Sequence, residues 1–216
     1  MTSAPPAGLY SADRLAPLIP NLSCIGASEI ALFHEQGYLA IREVFDKDSI
    51  QQAVYAVNSL IAGASPSFRG TSFEPGSGPS ETIPADQRHL HVRKLMSFVE
   101  YDDKLLDMSA DVGLMDLVRR LMGDETPELF QDMALLKPPG GREKPWHQDM
   151  AYFNVPIDTT VVGVWIALDE ATGTNGAIHL LPGSHRRGPS EHFNRRDWQI
   201  CDSEVPGQTD VVVPLP

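Results

Sequence analysis

In the stretch Lys137-Pro138-Pro139-Gly140-Gly141-Arg142-Glu143-Lys144-Pro145-Trp146-His147-Gln148-Asp149, a turn-rich run of proline and glycine gives way to a histidine and an aspartate two residues apart. In an extended chain alternate side chains share a face. His147 and Asp149 then aim an imidazole and a carboxylate at one point, and Gln148 turns away. They supply two of the three donors of the facial triad that binds non-haem iron(II) and leaves open positions for a co-substrate and dioxygen. Taken alone, so short a motif recurs by chance, and it also fits a hydrogen-bonded histidine beside a turn.

After this stretch the pattern is that of strands. Trp146 to Val155 reads as extended, Thr160 to Leu168 as a β-branched strand and Gly176 to Leu181 as another; Pro182-Gly183-Ser184 turns the chain, and Val211 to Val213 begins a further strand. Just before it, Leu129 to Leu136 is strand-like, with Gln131, Met133, Leu135 and Lys137 on one face; Met133 and Leu135 fit a mixed pocket wall or plain core equally. Earlier still the period is helical. Ser28 reads as an N-cap with Glu29 in the first turn, and Gly37 as the stop; a short strand follows over Tyr38 to Ile41. Asp46 or Asp48 caps a second helix whose apolar face is Ile50, Ala53, Val54, Val57, Leu60 and Ile61, ending near Gly63. Another runs from about Ala110 to Met122. Residues 63–86 read as one long loop, a lid or an insertion, and His89 to Val99 as extended.

Helices first and strands after, joined by Gly/Pro turns, predict a mainly β chain with N-terminal helices and a double-stranded β-helix (jelly-roll, cupin-like) core. The predicted organisation is an N-terminal arm over 1–27 and one domain over 28–216, with a helical buttress (28–125) and a β-core (126–216). The 216 residues suffice for one such core, and 21% charged with 42% hydrophobic residues is ordinary for a globular protein. A net charge of −12 with no compensating basic stripe argues against nucleic acid. No apolar run reaches the roughly 20 residues that span a bilayer. The N-terminus lacks a secretory signal pattern, and Cys24 and Cys201 form no framework or CxxC motif, which predicts free thiols and a cytoplasmic protein.

The ordered set of Lys137-Pro138, the Gly-rich loop, Trp146 to Asp149, the segment Val164-Trp165-Ile166-Ala167-Leu168-Asp169, and Asn175-Gly176 before Leu181-Pro182-Gly183-Ser184-His185 resembles the phytanoyl-CoA dioxygenase family. The resemblance extends back to Glu35-Gln36-Gly37-Tyr38 and to Val92-Arg93-Lys94. It implies an iron(II)-dependent oxygenase that decarboxylates 2-oxoglutarate to succinate and, with dioxygen, hydroxylates a small organic molecule. Carried over residue by residue, His147 and Asp149 match the first two iron ligands, Lys94 matches a lysine that contacts 2-oxoglutarate, and Met133 and Trp165 match positions at that pocket; Gln131, on the predicted strand face with Met133, is expected as a polar part of its wall. From the residues themselves, Trp165 fits core equally well. An aspartate at 149 implies hydroxylation, since halogenating relatives carry a small residue there.

The family's third ligand, a histidine on a late strand, and the group anchoring the far carboxylate of 2-oxoglutarate follow a segment resembling Val211 to Pro216. No histidine occurs in 193–216, so the expectation is a chain lacking its last strands and weakly active or inactive. The other class it fits is a catalytically silent jelly-roll binding module; a cupin-like zinc hydrolase is a third reading, without an obvious general base. His185 is expected in a structural turn, His179 within a strand, and His192 in solvent. His89 and His91 share a predicted strand face. Arg186, Arg187, Arg195 and Arg196 read as a basic cluster, either solvated or attractive to an anionic substrate.

Overall fold

The computed structural model describes residues 9, 10, 12, 14–205 and 211–214. Met1 to Gly8, read above as carrying no secretory signal pattern, and the last two residues of Val211 to Pro216 lie outside them. In order, the elements are strands β1 (Arg14–Leu15) and β2 (Leu18–Ile19), helix α1 (Ala27–Gln36), β3 (Ala40–Ile41), helix α2 (Lys47–Ala62), β4 (Thr71–Phe73), β5 (Val92–Met96), helices α3 (Asp103–Ser109) and α4 (Val112–Leu121), then β6 (Met133–Leu135), β7 (His179–Leu180), β8 (His192–Asn194), β9 (Trp198–Ile200) and β10 (Val211–Val212). They gather into two compact units. The first comprises the chain up to Arg42, Arg120–Glu125 and the chain from Glu143; the second comprises Glu43–Arg119 and Thr126–Arg142.

In the first unit β10 lies between β1, parallel, and β7, antiparallel. Successive valines there feed opposite faces, as the period of two requires. Val211 and Val213 pack with Ala16 and Ala40, whereas Val212 packs with Ala171 and Ala177. Each full valine burial contributes about 1.5–3 kcal/mol. The segment expected as an arm is thus partly woven into a sheet, since β2 also pairs with β3. α1 starts two residues earlier than expected. Gly26 is its N-cap, and Glu29 closes the turn by accepting the Gly26 N–H at 2.7 Å; Ser28 lies inside the helix.

Gly37 ends α1 in the left-handed region (φ 85°). Its N–H donates to the Phe33 carbonyl at 2.7 Å, and Gly183 N–H donates to the Gln36 carbonyl at 2.8 Å. This brings the turn of Ser184–Arg187 onto the helix end, where His185 Nε2 sits 3.0 Å from the His34 carbonyl. A Cβ at Gly37 would come within 2.4 Å of His185 Nδ1.

In the second unit Asp46 caps α2, accepting the Ser49 N–H at 2.7 Å, and Ala53, Ala56, Val57, Leu60 and Ile61 form its buried face. That face packs on α3 and on the 3₁₀ turn of Ala85–Leu90. The span expected as one loop therefore contains β4 and that turn. It also removes His89 and His91 from a shared strand face: His89 instead lines a shallow open cleft of about 360 Å³ with Tyr55, Asn58, Ser59 and Asp86. β5 is central in the β4-β5-β6 sheet.

The expected predominance of strand is not seen: the longest strand has five residues, and no sheet among the described residues closes into a barrel. Thr160 to Leu168 forms no ladder, and Val161, Val164 and Trp165 stay 39%, 45% and 39% exposed. β-branched composition favours the extended backbone, but a strand exists only where a neighbour takes its hydrogen bonds. Trp146 to Val155 is likewise not a strand, because the chain turns through a 3₁₀ helix at Asp149–Tyr152.

Replacing Gly37 by alanine pays both the left-handed penalty, about 1–2 kcal/mol, and the collision with His185. Gly140→Ala, at φ 75° with nothing near the new Cβ, pays only the first. Urea denaturation is expected to show Gly37→Ala as the more destabilised of the two.

Candidate functional site

The dipeptide Pro145-Trp146 fixes where the histidine points. Pro145 is fully buried. The Trp146 indole N–H donates to the Leu9 carbonyl at 3.2 Å, its carbonyl accepts from Ile200 N–H at 2.9 Å, and its ring stacks on Tyr10. His147 Nδ1 lies 2.7 Å from the Pro145 carbonyl, which can only accept, so Nδ1 carries the hydrogen. Gln148 is extended (φ −109°, ψ 130°). That single extended residue, rather than a strand, swings the Asp149 side chain to the same side, and His147 Nε2 stands 3.2 Å from Asp149 Oδ1. With Nδ1–H committed, a neutral imidazole presents a lone pair to a carboxylate lone pair. A cation held between the two would satisfy both. The hydrogen bond from His147 holds the Asp149 carboxyl below the usual carboxylate range, against the opposing effect of desolvation; Lys144 adds a further lowering. The carboxylate is largely open to solvent, at 68% side-chain exposure, and Gly163 passes beside its Oδ2.

The hairpin β8–β9 runs along this segment. His192 Nε2 accepts the Gln148 N–H at 2.9 Å, while its Nδ1–H donates to the Ser190 carbonyl at 2.9 Å. His192 is therefore half-buried and bonded at both nitrogens, not solvated as expected. The Gln148 amide does turn away from its neighbours, bonding Gly188 carbonyl and Ser190 N–H. Trp198 takes the Ala151 carbonyl through its indole N–H and gives its own carbonyl to the Tyr152 hydroxyl at 2.6 Å. Lys144 Nζ sits 2.6 Å from that hydroxyl and 3.1 Å from Asp197 Oδ2, and the Tyr152 ring stands edge-on to His147.

At the hairpin turn the predicted basic cluster dissolves. Arg196 is buried, donating to Asp202 through both terminal nitrogens at 2.6 and 2.7 Å and through Nε to Glu143. A guanidinium between Arg195 and Asp197 in one dimension reads as surface; here Glu143 and Asp202 take it out of water. Gln199, fully buried, accepts the Arg196 N–H and donates to Asp202. The Asp202 carboxyl is held below its usual range by Arg196, and burial pushes the Tyr10 hydroxyl up.

Lys94, Gln131 and Met133 belong to the second unit. Lys94 pairs with Leu135 across the β5–β6 ladder and Met96 with Met133, so these side chains share one sheet face. Met133 and Leu135 are 41% and 52% exposed, which rules out plain core. Gln131 is exposed two residues before Met133, while Asp132 turns inward to accept the Phe98 and Val99 N–H groups. Trp165, in the first unit, is also exposed. His147 and Asp149 are thus brought into contact, and Lys94 and Met133 share a face. Among the described residues no three His, Cys, Asp or Glu side chains cluster as a metal-binding group. Local spacing held no signal for the contacts of Tyr152 with Trp198, Lys144 with Asp197 or Arg196 with Glu143, which join residues 46 to 53 apart.

Over 99% of its length the chain shares the cupin-like fold of a crystal structure of EctD from Sphingopyxis alaskensis with 2-oxoglutarate and 5-hydroxyectoine (TM-score 0.59, 21% identity, 71% of that chain). It belongs to the phytanoyl-CoA dioxygenase family, whose model matches residues 33–211. It is 25% identical over 211 residues to the ectoine dioxygenase of Sphingopyxis alaskensis, covering 88% of this chain and 65% of that protein. To a probable alpha-ketoglutarate-dependent hypophosphite dioxygenase of Stutzerimonas stutzeri it is 27% identical over 172 residues, 77% of this chain and 56% of the other. The chain thus spans under two thirds of the length of these two relatives. No described helix is long and apolar enough to cross a membrane, and both cysteines are free.

The depressed Asp202 carboxyl gives a signed expectation. Its contribution to stability is full above the unfolded carboxyl value, about 4, and is lost as the pH falls through the lower folded value. Asp202→Asn should lower stability at neutral pH, by about 3 kcal/mol when a buried pair loses one partner, and flatten the acid limb of a denaturation-midpoint profile from pH 7 to 2. An unchanged acid limb would remove Asp202 from that role.

Proposed function

We propose that this chain forms the iron(II)- and 2-oxoglutarate-binding part of an oxygenase that hydroxylates a small organic substrate. The observation that carries the reading is the convergence of His147 Nε2 and Asp149 Oδ1 at 3.2 Å with Nδ1–H held by Pro145. An imidazole and a carboxylate without thiolate suit iron(II), and a hydrogen bond from the far ring nitrogen is the usual way a ligating histidine is oriented. When bound, the metal supplies activation of dioxygen coupled to decarboxylation of 2-oxoglutarate to succinate.

The chain's own residues do the rest. The Pro145 carbonyl keeps the His147 tautomer that leaves Nε2 as donor to the metal. Asp149 offsets part of the ionic charge. Lys94, which has no ion-pair partner among the described residues, offers an ammonium to a carboxylate of 2-oxoglutarate on a sheet face lined by Met133 and ending at Gln131. Trp165, in the first unit, offers an exposed apolar face. A double-stranded β-helix core is the architecture proposed around these positions, supported by the likeness to EctD. The relatives named for ectoine and hypophosphite differ too much in substrate to assign one here.

Anaerobic loading with iron(II), then addition of 2-oxoglutarate and air, tests this. Succinate formation that requires the metal and drops at least about 100-fold in His147→Ala is the expected outcome. Lys94→Ala should raise the half-saturating 2-oxoglutarate concentration by roughly 10-fold or more, the equivalent of one charge-assisted hydrogen bond. Metal retention and succinate release indifferent to His147 would overturn the proposal; no turnover and no metal would favour the silent binding module.

A further inference from the structure

The ligand pair does not hold its own geometry: Glu143, Lys144, Trp146, Gln148, Ala151 and Tyr152 each take a long-range bond from one hairpin, beside those of Trp146 to Leu9 and of Gln148 to Gly188 and Ser190. Glu143 is held by Arg196, Lys144 by Asp197, the Trp146 carbonyl by Ile200, the Gln148 N–H by His192, and Ala151 and Tyr152 by Trp198. All five of these partners lie within β8, β9 and their three-residue turn. The hairpin is in turn fastened to the following chain by the Arg196–Asp202 fork and by Gln199, all buried. We propose that Arg196, with Asp202 and Glu143, is the positioning element of the His147–Asp149 pair: the buried guanidinium locks the hairpin against which the ligand-bearing segment is aligned.

The reasoning is one of leverage. Glu143 precedes the buried Pro145 by two residues, and the Pro145 carbonyl sets the His147 ring. Arg196 grips Glu143 on one side and, through Asp202, the exit of β9 on the other. A side chain with the same charge but a single donor point cannot hold both carboxylates in this fork. Loosening it lets Pro145 and Trp146 shift relative to Ile200, and the imidazole then loses its fixed direction while the apolar contacts of the unit persist. Outer groups of this kind typically alter metal affinity by about 10- to 100-fold.

This inference rests on the metal-binding reading above, and the test separates the two. Cobalt(II) is titrated into the chain and its visible absorption followed, with His147→Ala as the reference for site occupancy. In parallel, long-range ¹H–¹⁵N spectra of the metal-free chain report which His147 nitrogen carries the hydrogen, at constant neutral pH. Arg196→Lys and the milder Glu143→Gln are compared with the parent, each checked for cooperative unfolding. The expected result is cobalt affinity reduced at least about 10-fold, with His147 changing from Nδ1–H to a mixture of tautomers. If Arg196→Lys does not fold, Glu143→Gln decides. A folded variant that keeps both the parent's affinity and its tautomer overturns the positioning role. A parent whose cobalt signal is unaffected by His147→Ala overturns the metal reading, and this inference with it.

Discussion

A guanidinium with only 4% of its side chain exposed must be answered by carboxylates, and in this protein the answer organises the first unit. Burying such a charge unpaired costs several kcal/mol. Arg196 therefore brings Asp202 from one side and Glu143 from the other, and Gln199 satisfies what remains. Glu143 opens the segment that carries His147 and Asp149, and Asp202 closes the hairpin that segment lies against. The same pair of ion contacts thus fixes two pieces of chain that sequence separates by more than forty residues.

The contact between His147 and Asp149 was legible because its logic is local. His147-Gln148-Asp149 needs only one extended residue between donor and donor, and Gln148 supplies it even though the strand expected around it is replaced by a turn. The caps were legible for the same reason. Asp46, Gly37 and Gly63 act within a few residues of themselves. Alternation along Gln131, Met133 and Leu135 was also readable; whether the face was core or pocket wall was not, and exposure now excludes plain core.

What stayed hidden is what depends on distant chain. Strand composition at Thr160 to Leu168 is real, but no sequence pattern names the neighbour a ladder requires. Arg196 was taken with Arg186, Arg187 and Arg195 because adjacency is visible and burial is not. His192 lies among charges in sequence, yet both its nitrogens are spoken for. For Arg196 and His192 the deciding partner is in the segment the hairpin touches or just beyond the hairpin itself.

The pairing of β1 with β10 carries a consequence for how the molecule forms. Arg14 meets Val211 in parallel register, so that ladder closes a loop of roughly two hundred residues and collects its reward only after a long stretch has been ordered. The second unit has no such debt: its residues are nearly consecutive, and its central ladder joins neighbours in the chain. During synthesis it can take shape while the partner for β1 has yet to be made. The edge of β1 and the faces meant for Val211 to Val213 then wait uncovered, and it is in that interval that the chain is most open to wrong pairings.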